Sequence, residues 1–214
     1  VEPWFLNRKL SLGVDLYHRN WNFLSDLYDE IRTGAKLSLT RALGTDFLIG
    51  TVSGTVENVG IVDVDPIHGT PTIVGTEGHY LVGRGAASIA YDTRNSVTLP
   101  SRGQRTELFG EVTGGDFSIY KAELRTAWYF PGFFDGHIWE IIGRLGVIDT
   151  LGEGVGVPDA DNGPNSVPFF ERYFLGGAYS LRGFDYRDVG PYERKFTGGN
   201  EPIGGNTYYM ASAE

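Results

Sequence analysis

Hydrophobic and polar residues alternate with a period of two through most of this chain of 214 residues. Because successive side chains of a β-strand point to opposite faces of a sheet, the alternation predicts strands with one apolar and one polar face. The pattern is clearest between residues 120 and 130, where one face carries Tyr120, Ala122, Leu124, Trp128 and Phe130, and the other carries Lys121, Glu123 and Arg125. It predicts about eight strands, at residues 8–19, 29–42, 46–59, 79–92, 103–114, 117–130, 137–149 and 206–214.

The predicted connections between these strands alternate in length. Short turns are expected at residues 43–45, 95–102 and 131–136, and longer loops at 20–28, 60–78 and 150–205. The tight turn at residues 114–116 is the exception to this order. Short turns on one rim and long loops on the other are typical of an outer-membrane β-barrel.

Aromatic residues lie at the ends of the predicted apolar faces: Trp4 with Phe5, Trp128 with Phe130, and Trp139. An apolar band that ends in aromatic residues is typical of strands that face lipid. The opposite faces carry charges of both signs, which suits the polar interior of a barrel. A soluble β-sandwich also alternates and stays open as an alternative. We expect an all-β fold, an antiparallel transmembrane β-barrel.

The composition is consistent with a barrel and narrows the possible partners. No run approaches the ~18 consecutive apolar residues of a membrane-spanning helix. The 31 Gly, 12 Tyr, 13 Phe and 4 Trp suit curved strands and aromatic membrane interfaces. A net charge of -9 disfavours a nucleic-acid partner, which would require a basic face. The absence of Cys excludes disulfide and thiol chemistry.

Motifs for catalysis and for metal or cofactor binding are not evident. The four histidines lack the spacing of metal ligands, there is no G-x-S-x-G elbow, and the glycines around Arg84 lack the rest of a dinucleotide fingerprint. Residues 159–163 resemble part of a calcium loop, but the complete ligand spacing is missing. These residues, like Asp63 and Asp65, are interpreted as solvated turns. We predict no enzyme activity, no metal site and no cofactor.

Two segments carry a resemblance to a known family. The first, residues 172–184, contains Gly176 and Gly177 followed by the tetrapeptide Leu181, Arg182, Gly183 and Phe184. The second is a turn motif made by Asp92, Arg94, Pro100 and Gly103. With residues 2–5, 188–191, 204–206 and 211–214, these segments resemble the BamA-like outer-membrane barrel assembly factors of the bacterial surface-antigen superfamily. The resemblance extends in order over essentially the whole chain.

The resemblance has structural implications. It implies that residues 1–214 are one partial barrel domain, about eight strands from the middle of a barrel of about sixteen. The chain is therefore expected to be an excerpt of a longer protein. The loop at residues 150–205 would start on the extracellular side and fold into the lumen. The family's motif arginine pairs with acids on the inner barrel wall, and the matching residues here are Arg182 and Glu214. Glycine at 176, 177 and 183 permits close backbone approach and positive φ angles.

The resemblance also implies a function, that of a subunit that inserts β-barrel precursors into the bacterial outer membrane. Its partners would be unfolded outer-membrane protein clients, accessory barrel-assembly lipoproteins and outer-membrane lipids, and it would use no ATP. Three alternatives stay open: a related translocation pore, either TamA-like or of the two-partner secretion type, a passive porin, and a soluble binding module. The number of POTRA domains elsewhere in the protein would discriminate among the superfamily members.

Overall fold

The computed structural model describes residue 5 and residues 10–152, 157–159, 163–178 and 180–214. Eight strands form one antiparallel sheet in the order β1-β2-β3-β4-β5-β6-β7-β12. These strands are β1 Ser11–Ser25, β2 Tyr28–Ala42, β3 Leu48–Val62, β4 Gly78–Asp92, β5 Gly103–Gly115, β6 Ile119–Pro131, β7 Ile138–Thr150 and β12 Thr207–Ala213. The predicted strands agree with them to within three residues, except at the end of β1, which lies six residues beyond the predicted end. Trp4 and the predicted start of the first strand, at residues 8 and 9, lie outside the described residues.

Smaller elements occupy the long connections. Helix α1 (Pro71–Gly75) lies between β3 and β4, and a 3-10 helix (Phe169–Glu171) lies between β7 and β12. Two short hairpins flank the 3-10 helix, β8 (Val157–Asp159) with β9 (Gly163–Ser166), and β10 (Tyr192–Arg194) with β11 (Asn200–Pro202). In the part of the chain that the structure describes, no helix has the length and the apolar character needed to cross a membrane.

The loop predicted at residues 20–28 is wrong, because β1 continues through that segment. β1 ends at Ser25 and is followed by a two-residue turn before β2 begins at Tyr28. Its register with β2 shifts between Trp21 and Ser25. A bulge of this kind breaks the period-two pattern, which is why the sequence did not indicate the final third of the strand.

The apolar side chains of the sheet lie on an exposed outer face. Leu16 is 81% exposed, Val56 61% and Leu108 58%. Within the described residues, no second sheet covers this face. The same face continues with Val14, Leu37, Val52, Ile89, Val112, Leu124 and Leu145, each at least 40% exposed. The alternative of a soluble sandwich, in which these residues would pack against a second sheet, is therefore excluded, and the face has the character of a lipid-facing barrel wall.

The buried apolar core lies at one end of the sheet, among the long connections. Its members come from the ends of strands, from α1 and from the connection after β7: Leu27, Tyr28, Val59, Ile61, Ile73, Val82, Phe117, Ile119, Ile148, Val167, Phe169 and Phe170. Phe169 packs edge-on against Tyr28, with ring centroids 5.1 Å apart, and Phe170 packs against Phe117 at 5.8 Å. Each buried phenylalanine contributes about 1.5–3 kcal/mol of hydrophobic free energy. The core thus attaches residues 167–170 to the sheet.

Candidate functional site

The connection between β7 and β12, residues 151–206, is called the motif loop here because it contains the predicted tetrapeptide. Two pairs of backbone hydrogen bonds shape it. The amides of Tyr173 and Gly205 each donate to the other's carbonyl at 2.9 Å, and Leu175 and Val189 exchange hydrogen bonds at 3.3 and 3.0 Å. Residues 175–189 therefore form a folded-back segment, called the arm, with the tetrapeptide at its tip.

The paired glycines of the motif allow the arm to turn. Gly176 is buried and has a φ of +111°, and a side chain there would collide with the Asp185 carbonyl oxygen. Gly177 and Gly183 also have positive φ angles, of +88° and +89°, which L-residues adopt only with strain. Ser180 closes the turn, because its hydroxyl accepts from the Gly176 amide at 2.9 Å. The predicted positive φ angles are confirmed.

The tip of the arm reaches the inner, polar face of β7 and β12. Arg182 Nη1 lies 3.0 Å from Glu214 Oε2, so the structure brings the two predicted partners together. Their side chains are 73% and 40% exposed. Leu181 is partly buried, whereas Phe184 is 58% exposed. An ion pair this exposed is screened by water and contributes about 0–1 kcal/mol, so this contact holds the tip only weakly.

A second contact holds the motif loop near its base, through Glu171 in the 3-10 helix. The Glu171 carboxylate accepts two hydrogen bonds from Arg84, from Nη2 at 2.7 Å and from Nη1 at 3.1 Å. Arg32 Nη1 lies 3.1 Å from it, and Lys121 Nζ lies 3.2 Å from it. Only 2% of the Glu171 side chain is exposed. A single buried carboxylate thus contacts cations from β2, β4 and β6.

Acidic residues of the sheet complete this network, which we call the charge cage. The members of the charge cage are Glu30, Arg32, Glu57, Arg84, Glu111, Lys121 and Glu171. Arg84 Nε donates to Glu57 at 2.6 Å, and Arg32 Nε donates to Glu30 at 2.6 Å. Arg84 Nη1 also donates to Glu111 at 3.2 Å. Each cation therefore has at least one carboxylate within ion-pair distance, which is the arrangement that buried charges require.

Electrostatics keep Glu171 ionised in spite of its burial. Burial alone raises the pKa of a carboxyl group, because it disfavours the charged form. At Glu171 the cations of Arg32, Lys121 and Arg84 outweigh burial, and the net pKa lies well below its usual range. The motif loop therefore carries a fixed negative charge into the cage.

The sequence did not single out Glu171, although signals for it existed. Its partners Lys121 and Arg84 are 50 and 87 residues away in the chain. Lys121 was among the charges expected to point inward, and Arg84 lies on the polar face of an alternating strand. Glu171 lies directly before the motif, and its acidic side chain was the signal that matched these inward cations. The other expected inward charges Glu123 and Arg125 pair with each other, and Tyr208 donates to Glu123 at 3.3 Å.

The turn motif lies at the opposite rim, between β4 and β5, and is separate from the motif loop. Asp92 accepts from Arg94 Nε at 2.9 Å and from Arg94 Nη2 at 2.7 Å. Gly103 has a φ of +101°, and a side chain there would collide with the Thr93 carbonyl oxygen. Pro100 is partly buried in the same turn. This turn fixes the local backbone, and its contacts indicate a structural role.

The acidic turns considered for calcium do not form a site in the described part of the chain. Asp65 is engaged by its own turn, since its carboxylate accepts from the amides of Ile67 and His68 and contacts the His68 ring at 2.7 Å. Hydrogen bonds from the His68 amide, the His68 ring and the Ile67 amide lower the pKa of Asp65 to about 2. Residues 160–162 lie outside the described residues, and so does Tyr179 of the motif.

Comparison with known proteins finds one matching family and several curated relatives. The model of the Omp85 superfamily domain matches residues 1–214. The chain is 30% identical over 139 residues to the human sorting and assembly machinery component 50 homolog. The aligned residues are 62% of this chain and 25% of that protein. It is 26% identical over 144 residues to the outer membrane protein assembly factor BamA of Neisseria meningitidis, covering 65% of this chain and 17% of that protein.

A solved structure supports the fold. The crystal structure of BamA from Haemophilus ducreyi lacking POTRA domains 1-3 superposes with a TM-score of 0.79 at 20% identity, over 99% of this chain and 42% of that one. The sheet therefore has the architecture of part of a BamA barrel wall. The chain spans a quarter or less of the length of the curated relatives named above.

Proposed function

Because the chain belongs to the Omp85 superfamily, we propose that it forms part of the barrel of an outer-membrane protein insertase, a subunit that assembles β-barrel precursors and inserts them into the membrane. Its location is the bacterial outer membrane. The partners that we propose are unfolded outer-membrane protein clients, accessory barrel-assembly lipoproteins and the surrounding lipids. We further propose that the protein is not an enzyme and needs neither cofactor nor ATP, since the folding of the client supplies the free energy.

The physical problem for an insertase is the unpaired edge of a client strand. Exposed backbone N–H and C=O groups cost several kcal/mol each in hydrocarbon, so a strand must find a partner before or while it enters the bilayer. In the mechanism that we propose, client strands pair at a weak seam elsewhere in the barrel. The present strands would form the wall opposite that seam, and the motif loop would brace the wall from the inside.

The observation that carries this proposal is the double attachment of the motif loop to the inner face of the sheet. Glu171 contacts cations of β2, β4 and β6 at the base of the loop, and Arg182 contacts Glu214 at the tip. A loop held in this way crosses the interior from β2 to β12. That is the arrangement expected of a brace, and it disfavours the passive porin, whose function needs an open lumen.

A related translocation pore, TamA-like or of the two-partner secretion type, is the second candidate. The Arg182 tetrapeptide is the feature that favours it, because the resemblance assigns the same motif to those proteins. The two candidates differ in what they do with a client. An insertase leaves the client folded in the membrane, whereas a secretion pore releases it on the far side.

Replacing Arg182 by alanine tests the bracing role in the full-length protein. We expect client insertion into liposomes to slow severalfold, because the tip would lose its contact with Glu214. The barrel's free energy of unfolding should change by less than about 1 kcal/mol, since the pair is exposed. The measurements are the rate of client folding by gel mobility and the denaturant midpoint of the barrel itself.

The matched control is Arg194→Ala, which removes an exposed arginine from another part of the motif loop, strand β10. This variant should insert clients at the wild-type rate. If Arg182→Ala inserted clients at the wild-type rate, the bracing role would be wrong.

A further inference from the structure

The motif loop has two attachments to the sheet, and they differ sharply in burial. At the tip, the side chains of Arg182 and Glu214 are 73% and 40% exposed. At the base, the side chains of Glu171 and Arg84 are 2% and 8% exposed. Exposed ion pairs are weak and sensitive to salt, whereas breaking one partner of a buried pair leaves an uncompensated charge. The tip should therefore open first, and it should be able to open while the base stays closed.

Neighbouring contacts make the base a compact unit around Glu171. The carbonyl of Phe170 accepts from Arg32 Nη2 at 3.2 Å, and Arg172 Nε donates to the Val167 carbonyl at 3.0 Å. Tyr173, two residues after Glu171, exchanges backbone hydrogen bonds with Gly205 at the return of the loop to β12. Glu171 therefore lies next to the point where the motif loop leaves the wall and returns to it, at Tyr173 and Gly205.

The buried aromatic side chains at the base do not by themselves specify this position. Phe169 and Phe170 pack in the core, but apolar contacts are non-directional and tolerate sliding. The carboxylate of Glu171 instead receives two parallel N–H bonds from the Arg84 guanidinium, a geometry that fixes both distance and orientation. The charge cage thus supplies the directional part of the attachment.

We propose that Glu171 is the positioning residue of the motif loop and keeps its base attached to the charge cage. The contact between Arg182 and Glu214, in contrast, attaches the tip reversibly. The tip of the arm can then loosen and move away from β12 while the base stays attached to the charge cage. This proposal rests on the proposed function for its biological consequence, since a moving arm matters if the barrel must deform around clients. Its structural test does not depend on insertion activity.

Backbone hydrogen exchange of the full-length protein in lipid nanodiscs separates the two attachments, because exchange reports local opening. The base is monitored by the amides of Tyr173 and Gly205, which bond to each other's carbonyls. The tip is monitored by the amides of Gly177 and Ser180, which bond to the carbonyls of Phe184 and Gly177. Arg182→Ala should accelerate exchange at the tip severalfold and leave the base within about twofold of the wild type.

Glu171→Gln keeps the size of the side chain and removes its charge. We expect it to accelerate exchange at the base by at least about tenfold, and at the tip as well. Glu171→Asp keeps the charge on a shorter side chain and should give smaller accelerations than Gln. If Glu171 merely filled space, Gln would be the better replacement of the two, so the order of these variants distinguishes positioning by charge from packing.

A matched control is Glu193→Gln, which neutralises another buried acid of the same loop. Glu193 accepts from the Thr72 hydroxyl at 2.9 Å and from the Thr72 amide at 3.2 Å, away from the charge cage. This variant should loosen the contact with α1 and leave the amides of Tyr173 and Gly205 unchanged.

The wild-type protein provides a test that needs no variant to fold. Raising the salt concentration from about 0.1 to 1 M shortens the screening length from about 10 to 3 Å. Exchange at the tip should then accelerate while exchange at the base stays constant. The proposal is overturned if base and tip respond equally to salt, if Glu171→Gln exchanges like the wild type, or if Arg182→Ala opens the base as much as the tip.

Discussion

Replacing Arg84 by methionine should lower the barrel's free energy of unfolding by about 3–5 kcal/mol. Arg84 contacts Glu57, Glu111 and Glu171 at 2.6, 3.2 and 2.7 Å, and its side chain is 8% exposed. Methionine fills a similar space but cannot neutralise these carboxylates, so several negative charges would remain close together in a buried site. Chemical denaturation of the full-length protein in detergent or lipid measures the change.

The matched control for this substitution is Arg105→Met. Arg105 also lies on the sheet and pairs with Glu107 at 2.9 Å, but its side chain is 42% exposed. Water screens that pair, so the control should cost at most about 1 kcal/mol. Equal losses of stability in the two variants would mean that the charge cage is not the buried network described above.

Arginine at position 87 should destabilise the folded barrel in a bilayer by about 2–4 kcal/mol, because the side chain would enter the hydrocarbon. Ala87 lies near the middle of β4 on the outer face, between Val52 of β3 and Gly110 of β5. Next to Ala87, both neighbouring strands present apolar residues or glycine on this face. The change is measured as the shift in denaturant midpoint of the protein in liposomes.

The adjacent residue, Ala86, offers a closely matched control for this substitution. It begins as the same amino acid, but it lies on the inner face, opposite Glu111. Arginine there would lie beside a carboxylate, so Ala86→Arg should cost far less than Ala87→Arg. If the order of the two variants were reversed, the assignment of inner and outer faces would be wrong.

Most of the sheet could be predicted from the sequence because its information is local. An alternating segment such as residues 120–130 specifies both a strand and the face that each side chain occupies. The end of β1 could not be predicted, because the register shift after Trp21 interrupts the alternation. Helix α1 was also missed, since five residues capped by Thr70 are too short to establish a helical period.

The functional site was predictable only in part, and the reason is again the distance between partners. The contact between Arg182 and Glu214 was expected because both residues lie in segments that resemble the family. No resemblance indicated a partner for Glu171. Its position beside Arg84 depends on how the chain between these two residues, which are 87 positions apart, folds back across the sheet. The burial that distinguishes the two attachments is likewise a property of packing, which alternation does not encode.

Client folding provides the most direct test of the proposed function. An unfolded outer-membrane barrel client is diluted from urea into liposomes that contain the full-length protein, and its folding is followed by heat-dependent gel mobility. We expect the client to become membrane-embedded faster than in protein-free liposomes, without ATP. Equal rates in the two kinds of liposome, with the protein itself correctly folded, would contradict the proposed insertase function.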